Sequence, residues 1–218
     1  DSASVHSAAT TDGGSSWSVV TVASGSPDDF AEAHISAFDA DHVAIGYLEL
    51  NGVDAILAVS TNGGASYSST VFQTSPNVDI DGIQMVSTTG VLIDYLMDNT
   101  GDFELHVALT TDGGATLDTD TVVGTAVDSQ PDPSIFGGFS AVDATTMAVC
   151  YFDQVTGFPT YAFSVNSGVS FVPVTISAAD SVVYQCSIDM ISATEAVVEY
   201  IDDAGSNVVA VLTSSGLT

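Results

Sequence analysis

The chain has 218 residues, among them 28 acidic side chains and no Lys or Arg, which gives a formal net charge of −28 at pH 7. Soluble domains are ordinarily about 25% charged with both signs mixed, so a complete lack of basic residues is not an ordinary variation in composition. It excludes nucleic-acid binding by charge neutralisation, a phosphate-gripping lysine, an arginine clamp and a basic membrane-surface patch. Hydrophobic residues make up 45% of the chain, so we expect a core of ordinary size and not disorder.

Four segments of the sequence resemble one another and recur at a nearly constant spacing. They span residues 11–17, 61–67, 111–117 and 165–171, and a fifth, 213–218, is cut off by the end of the chain. Counted from the second position of each segment (12, 62, 112, 166 and 214), the steps are 50, 50, 54 and 48 residues. A period near 50, filled with strand-like sequence, predicts propeller blades and not a helical solenoid.

Each segment has the composition of a tight turn between two strands. Its Asp-Gly or Asn-Gly pair supplies the positive φ angles that such turns need, and the Asp or Asn side chain can accept hydrogen bonds from the following amides. The apolar residue five positions on can fold back over the turn. These roles fall on Asp12, Gly14 and Trp17, on Asn62, Gly64 and Tyr67, on Asp112, Gly114 and Leu117, and on Asn166, Gly168 and Phe171.

The stretches between these turns alternate apolar and polar residues with a period of two, which is typical of β-strands. Only residues 28–33 have a pattern compatible with a short helical turn. Each complete repeat resolves into four strands, and the whole chain into 17. The strands at the chain ends and in the first complete repeat are predicted at 4–11, 17–23, 34–39, 43–50, 54–60, 67–74, 186–191, 196–201 and 208–213.

These strands predict an all-β fold: a single β-propeller domain over residues 1–218, built of four-stranded antiparallel blades. Seventeen strands are compatible with four blades and one strand left over, with five blades of which one is incomplete, or with an excerpt of a longer propeller. The surplus strand can pair with a neighbouring molecule, because unpaired strand edges invite such addition. The repeats lie near 1–24, 33–74, 82–124, 135–176 and 184–218.

The first turn segment, residues 10–17 (Thr-Thr-Asp-Gly-Gly-Ser-Ser-Trp), resembles the Asp-box (BNR) repeat of sialidases and related propellers. The family pattern is Ser/Thr-x-Asp-x-Gly-x-Thr-Trp, and the resemblance is weaker at Leu117 and in the turn of Asn166. It implies a sialidase-like β-propeller in which the box is structural and lies at the blade periphery, between the third and fourth strands. Sialidases hold the substrate carboxylate with three arginines, so a chain without arginine cannot have that activity.

A second class of Asp-box propellers, the inverting glucan hydrolases, needs only two carboxylates. Asp94, Asp189 and Glu199 are candidates, but among 28 acidic residues a plausible pair is found easily. The single Trp belongs to a turn, and the loops are short for a substrate cleft. The histidines do not indicate a catalytic site, because His6 and His106 occupy matching positions before two turns and are expected to be packed or at an edge. We therefore predict no enzymatic activity and no catalytic residues.

The acidic residues concentrate in the turns that follow second and fourth strands, which share one face of a propeller. Short Asp-rich loops can gather hard oxygen ligands around Ca²⁺. A solvated acidic surface with diffuse cations is the alternative, and the sequence leaves both open; no cofactor is required. The candidate Ca²⁺ ligands are Asp79, Asp81, Asp98, Asp102, Asp202 and Asp203.

The two cysteines fall in neighbouring blades. Cys150 lies in the second strand of the third complete blade and Cys186 in the first strand of the next, and these strands adjoin near the centre of a propeller. A disulfide between them and two buried free thiols are both compatible with this placement.

These features favour a non-enzymatic propeller module, extracellular or on a cell or particle surface, with a structural, self-assembly or binding role. Trypsin-like proteases cannot cut a chain without Lys or Arg, which suits such a location. The expected partners are a second copy pairing with an incomplete edge blade, or a protein or glycan ligand; nucleic acid and membrane insertion are not expected. The alternative is a carbohydrate-active propeller that uses paired carboxylates.

Overall fold

The computed structural model describes residues 3–26, 29–50, 53–75, 77–99, 102–127, 138–153, 155–177, 186–202, 204–213 and 216–217. Every regular element in these ranges is a β-strand, and none of them holds a helix long and apolar enough to span a membrane. The eighteen strands among these residues are β1 (Ala3–Ala9), β2 (Ser18–Gly25), β3 (Phe30–Ala37), β4 (Val43–Glu49), β5 (Asp54–Ser60), β6 (Ser68–Thr74), β7 (Val78–Met85), β8 (Val91–Asn99), β9 (Asp102–Thr110), β10 (Thr119–Val127), β11 (Phe139–Ala141), β12 (Met147–Asp153), β13 (Phe158–Ser164), β14 (Val172–Thr175), β15 (Cys186–Ser192), β16 (Glu195–Ile201), β17 (Asn207–Thr213) and β18 (Gly216–Leu217).

Two details of the predicted strand order are wrong. Within the segment 28–33, of which the structure describes residues 29–33, no helical turn forms, because β3 already begins at Phe30. Phe30 pairs with Glu49, and its ring packs edge-on against Tyr47 at 5.8 Å. An eighteenth strand, β18, folds back on β17 where the sequence was expected to end in a cut-off turn.

The strands form antiparallel meanders in sequence order, as expected for propeller blades joined by short turns. Strands β3 to β6 make one four-stranded sheet, β15 to β18 another, and β1 and β2 a two-stranded one. Strands β7 to β10 and β11 to β14 make two further meanders, which a single pairing between Val127 and Asp153 joins into one sheet.

The chain divides into two compact units: Asp1–Ile93 with Thr110–Leu117, and Asp94–Leu109 with Asp118–Thr218. The division passes through β8 and β9, and a single propeller domain over the whole chain remains a prediction.

The core of the first unit lies in its middle strands. All residues of β4 except its two ends, and all of β5 except Asp54, are buried, whereas every residue of the outer strands β2 and β6 is exposed or half-buried. Middle strands are covered on both faces, so they are nearly continuously apolar instead of alternating. Ile45, Tyr47 and Ile56 form one cluster, onto which Phe30 and Tyr67 pack.

The core of the second unit includes the two cysteines. Cys150 and Cys186 form a disulfide with a Cα–Cα distance of 6.2 Å, in a cluster that contains Tyr161, Val198 and Tyr200. Cys150 lies in β12 and Cys186 in β15, the second and first strands of their sheets. The bond therefore links two neighbouring blades within this unit.

A hydrogen bond between neighbouring first strands occurs in each unit. In the first unit the Ser36 hydroxyl oxygen accepts a hydrogen bond from the Met85 amide at 3.0 Å, which joins β3 to β7. In the second unit the Ser140 hydroxyl accepts from the Met190 amide at 3.1 Å, which joins β11 to β15. Consecutive blades are thus held together by a side chain at the same position of the repeat.

Replacing both Cys150 and Cys186 by Ala should lower the free energy of unfolding by about 4 kcal/mol, because the bond closes a loop with a sequence separation of 36 residues. Urea unfolding followed by tryptophan and far-UV signals measures this difference. The variant should be indifferent to reductant, whereas the wild type should lose a similar amount in dithiothreitol; an equal response of both proteins would contradict the prediction.

Candidate functional site

The four turn segments fold alike, and we call them the box turns. In the third, the Asp112 carboxylate accepts hydrogen bonds from the Thr116 amide (3.0 Å), the Thr116 hydroxyl (2.7 Å) and the Thr110 hydroxyl (2.9 Å). The Thr110 oxygen in turn accepts the Gly114 amide at 3.0 Å. The first turn has the same bonds at similar distances: Asp12 accepts from the Ser16 amide, the Ser16 hydroxyl and the Thr10 hydroxyl, and the Thr10 oxygen accepts the Gly14 amide.

The other two box turns use Asn in place of Asp without losing a bond. The Asn62 side-chain oxygen accepts the Ser66 amide at 2.9 Å, and its amide group donates to the Ser66 hydroxyl at 2.8 Å. Asn166 makes the same two contacts with Ser170. The turn therefore requires a planar side chain with two polar atoms, and it does not require a charged one.

Positive φ angles occur where the sequence predicted them. Gly63 and Gly64 have φ of 69° and 80°, and the corresponding pairs in the first and third turns are similar. The fourth turn has Ser167 at 62° followed by Gly168. In three turns the amide at the first of these positions also donates to a carbonyl between the first and second strands of the same blade, namely Gly63 to Asp41, Gly113 to Thr89 and Ser167 to Thr145.

The apolar residue of the box does not play one role in all four turns. A Cβ on Gly64 would meet the Tyr67 hydroxyl at 3.0 Å, and one on Gly168 would meet the Phe171 ring at 3.8 Å, so both rings fold over their turns. Trp17 approaches Gly14 in the same way but is 60% exposed. Over Gly114 the nearest atoms belong to Leu57 and Val59.

A cavity of about 230 Å³ adjoins this third box turn within the first unit. Its lining contains no charged side chain. The residues that line it are Leu57, Thr70, Val71, Phe72, Gly114, Ala115, Thr116 and Leu117.

Two carboxyl groups in the first unit are hydrogen-bonded to each other. Glu32, in β3, and Asp79, in β7, form this pair, and a Glu32 oxygen also accepts the Ile80 amide at 3.2 Å. Burial first, and then the neighbouring Asp79 carboxyl, raises the pKa of Glu32 to about 8. Glu32 also has a φ of 45°, at a register shift in the pairing of β3 with β4.

A polar group in the second unit, with Tyr95 and His106 buried and Asp120 exposed, connects β8, β9 and β10. The Tyr95 hydroxyl donates to Asp120 at 2.7 Å, the His106 Nδ1 lies 3.0 Å from the other Asp120 oxygen, and the two rings stack at 4.8 Å. Burial alone would raise the pKa of Asp120, but the hydrogen bonds from His106 and Tyr95 hold it below its ordinary value. His106 is 6% exposed, so it is a packed histidine as the sequence predicted.

The predicted Ca²⁺ ligands are not brought together among the residues that the structure describes, where no group of three or more His, Cys, Asp or Glu side chains is placed to hold a metal. Asp79 and Asp81 lie on β7 and Asp98 on β8. Asp202 accepts the amides of Ala204 (3.0 Å) and Ser206 (2.7 Å). The Asp102 side chain and Asp203 lie outside the described residues, so Ca²⁺ binding remains a prediction.

The three glucan-hydrolase candidates lie on different strands of the second unit. Asp94, in β8, is 2% exposed, and burial raises its pKa well above the ordinary value. Asp189 and Glu199 are exposed on β15 and β16, where the register places Asp189 opposite Val197 and Glu199 opposite Ser187. They are thus diagonal neighbours on one face of the hairpin.

Sequence reasoning missed the Glu32–Asp79 pair and the cavity beside Leu117. The pair depends on β3 and β7 approaching, which no local pattern records. The cavity had a visible signal, because Leu117 is the one box residue at its position that is not aromatic.

No protein-family model matches the chain, and no curated protein matches it significantly. Among solved structures it is similar to YCF48 bound to D1 peptide (TM-score 0.53, 14% identity, 92% of this chain and 56% of that one). It is also similar to oligopeptidase B from Leishmania major (0.51, 12%, 92% and 28%) and to the Hadza microbial sialidase Hz136 (0.47, 9%, 99% and 60%). The chain spans between about a quarter and three fifths of these proteins, and the similarity supports a β-propeller fold.

Replacing Asp112 by Ala should lower the melting temperature, whereas Asp112→Asn should leave it nearly unchanged, because Asn62 and Asn166 hold equivalent turns. The Thr116 amide, with the Thr116 and Thr110 hydroxyls, lowers the pKa of Asp112 to about 2. The contribution of this carboxylate is therefore present above its ordinary pKa and is lost as the pH falls toward 2. Melting curves between pH 5 and 2 should show a weaker acid dependence in Asp112→Asn; equal melting temperatures for Asp112→Ala and wild type would contradict the assignment.

Replacing Glu32 by Gln should flatten the pH dependence of stability between pH 8 and 5. The folded pKa of Glu32 is raised, so its contribution is present at low pH and is lost as the pH rises toward 8. Gln resembles the protonated acid and should make the protein more stable than wild type at pH 8. Glu195→Gln, at an exposed position, removes one charge elsewhere and is the matched control; the same flattening in both variants would show general repulsion and not the pair.

Proposed function

We propose that this chain is a non-enzymatic propeller module with a structural or binding role outside the cell or on a surface, and that its acidic surface is associated with cations. The observation that carries the proposal is the use of the carboxylates. In turn after turn an Asp oxygen accepts the amides of its own turn, as in Asp39, Asp112, Asp143, Asp153 and Asp202.

A carboxylate held in this way is a poor general acid. The Ser16 hydroxyl and amide lower the pKa of Asp12 to about 2, and the Thr145 hydroxyl and amide hold the pKa of Asp143 below its ordinary value. Such groups stay ionised over the physiological range, so their charge is permanent. A surface of permanent negative charge with no basic residue to offset it collects cations from solution.

The Glu32–Asp79 pair does not argue for glycoside hydrolysis. An inverting enzyme needs its carboxyl groups about 6.5–9.5 Å apart, with a water between them, and a retaining enzyme needs about 5–5.5 Å. The Asp79 carboxyl lies within hydrogen-bond reach of Glu32, which is closer than either of these separations. We infer that the pair joins β3 to β7.

A carbohydrate-active module is the second candidate, and it rests on Asp189 and Glu199. Diagonal positions across an antiparallel pair lie about 7–8 Å apart, which is within the range for inversion. Against it, Asp189 accepts a hydrogen bond from Ser140 at 3.1 Å and Glu199 receives the Asn207 amide at 3.4 Å. Both carboxylates are therefore engaged by neighbouring side chains.

A binding role is supported by the fold and by one neighbour. YCF48, with which this chain shares its fold, is described as bound to a D1 peptide. Self-association through an incomplete edge blade and a location outside the cell remain part of this proposal. The lack of Lys and Arg, which removes every cleavage site for trypsin-like proteases, favours that location.

Stability should rise with salt, because crowded carboxylates repel over a screening length that falls from about 30 Å at 0.01 M to about 8 Å at 0.15 M. Melting temperatures measured in NaCl, and in CaCl₂ and MgCl₂ at matched ionic strength, test this. Equal effects of the two divalent ions indicate a diffuse cation layer, and an excess for Ca²⁺ indicates an ordered site. A melting temperature independent of all three salts would contradict cation association.

The non-enzymatic assignment is tested with a panel of β-glucan and xyloglucan oligosaccharides. We expect no hydrolysis above that of buffer. Turnover that disappears in Glu199→Gln, and persists in Glu195→Gln on the same strand, would replace this proposal by the carbohydrate-active one.

A further inference from the structure

We infer that the cavity beside the third box turn is a docking site for one aromatic side chain, presented by a partner polypeptide that carries Lys or Arg beside that ring. This inference rests on the binding role proposed above and deepens it. It starts from a comparison of equivalent positions in the repeat.

The cavity adjoins the one box turn among the four whose apolar residue is not aromatic. Tyr67 and Phe171 cover the glycines of the second and fourth box turns, and Leu117 stands at their position in the third. A branched aliphatic side chain is shorter than a ring, and Leu117 lines the cavity of about 230 Å³. Leu57 covers Gly114 itself, and the cavity lies beside the position at which the other turns carry a ring.

One of the hydrogen bonds that close the fourth box turn has no counterpart at the equivalent position beside the third. The Thr119 hydroxyl donates to the Ser167 carbonyl at 3.1 Å and the Thr121 hydroxyl to the Gly168 carbonyl at 2.5 Å, so β10 is fastened to that turn. Counted from the box position, Val71 is the equivalent of Thr121. A valine side chain cannot donate, and Val71 is 48% exposed at the cavity.

The walls of the cavity match a ring better than a sugar. Leu57, Val71, Phe72 and Leu117 provide apolar contact, while Thr70 and Thr116 provide hydroxyls at the side. Sites for drug-sized ligands and larger cofactors occupy about 300–1,000 Å³, which exceeds this volume. A single aromatic anchor entering an apolar pocket is a common centre of protein–protein recognition.

The net charge of the chain indicates what kind of polypeptide presents the aromatic ring. The lining is uncharged, whereas the chain around it has a net charge of −28 and no basic residue. Long-range attraction favours a partner with Lys or Arg, and it opposes a second copy of this chain. The register shift beside Phe72 bends the β6 edge, so insertion of a side chain is favoured over addition of a continuous strand.

The direct test measures binding of a fluorescein-labelled pentapeptide, Lys-Thr-Phe-Thr-Lys, to the full chain by fluorescence anisotropy. Two further peptides serve as probes, one with Ala in place of Phe and one with Glu in place of both Lys. We expect the Phe–Lys peptide to bind best, with a loss of about tenfold for each of the other two.

Variants then locate the binding. Leu117→Phe restores the ring found in the other turns, and it should lower affinity by at least about tenfold while leaving the melting temperature equal or higher. Val71→Ser keeps the cavity open but removes an apolar wall, so it should weaken binding by a smaller factor. Val122→Thr, at a similarly exposed position of β10, is the matched control and should bind as wild type does.

Four outcomes would overturn the inference. Equal binding of the Ala and Phe peptides would show adventitious charge attraction only, and unchanged binding by both Leu117→Phe and Val71→Ser would place the peptide elsewhere. Concentration-dependent dimers that vanish in Leu117→Phe would identify a second copy as the occupant. Absence of peptide binding, with salt dependence intact and no hydrolysis, would end this inference and leave the proposed module role standing.

Discussion

One small arrangement recurs through this protein: a planar side chain that accepts the backbone amide four residues later while a Ser or Thr two residues before it accepts another. Turns in which two successive residues have positive φ leave their amides pointing inward, and unpaired amides are costly. The Thr10 and Ser60 hydroxyls accept the Gly14 and Gly64 amides, and Asp12 and Asn62 accept the amides of Ser16 and Ser66 that follow. Each turn connects a third strand to a fourth, so the spacing of these turns along the sequence repeats with the meanders that contain them.

The links between blades follow from the same repetition. A serine at one position of the first strand receives an amide from the next first strand, once in each unit. In the second unit the Cys150–Cys186 disulfide adds a covalent link between β12 and β15. These contacts use neutral groups, because a chain with acidic residues only has no salt bridge between carboxylate and lysine or arginine available. Stability therefore comes from apolar middle strands, neutral hydrogen bonds and turn carboxylates, while the remaining charge is repulsive.

Much of this arrangement could be predicted from the sequence, because it is local. The box turns carry their own signature in Asp-Gly and Asn-Gly, and the bounds of β5 follow directly from the apolar run before Asn62. The start of β3 at Phe30 could not be read locally, since its pairing with β4 decides it. The same holds for Glu32 and Asp79, which are 47 positions apart and meet only when two first strands lie side by side. The cavity could be predicted only in part. The sequence shows Leu117 as the one box residue at its position that is not aromatic, but the space beside it depends on β6, the outer strand that lines it.

The interchange of Asp and Asn in the box turns has a consequence for how such a sequence can evolve. Both residues make the same contacts, so a substitution between them changes the total charge by one without changing the fold. At such positions the choice between Asp and Asn has little effect on the fold, so selection can change the net charge in either direction. Asp12 and Asp112 are the acidic cases in this chain, and the turns of Asn62 and Asn166 show that the same backbone accepts the uncharged residue.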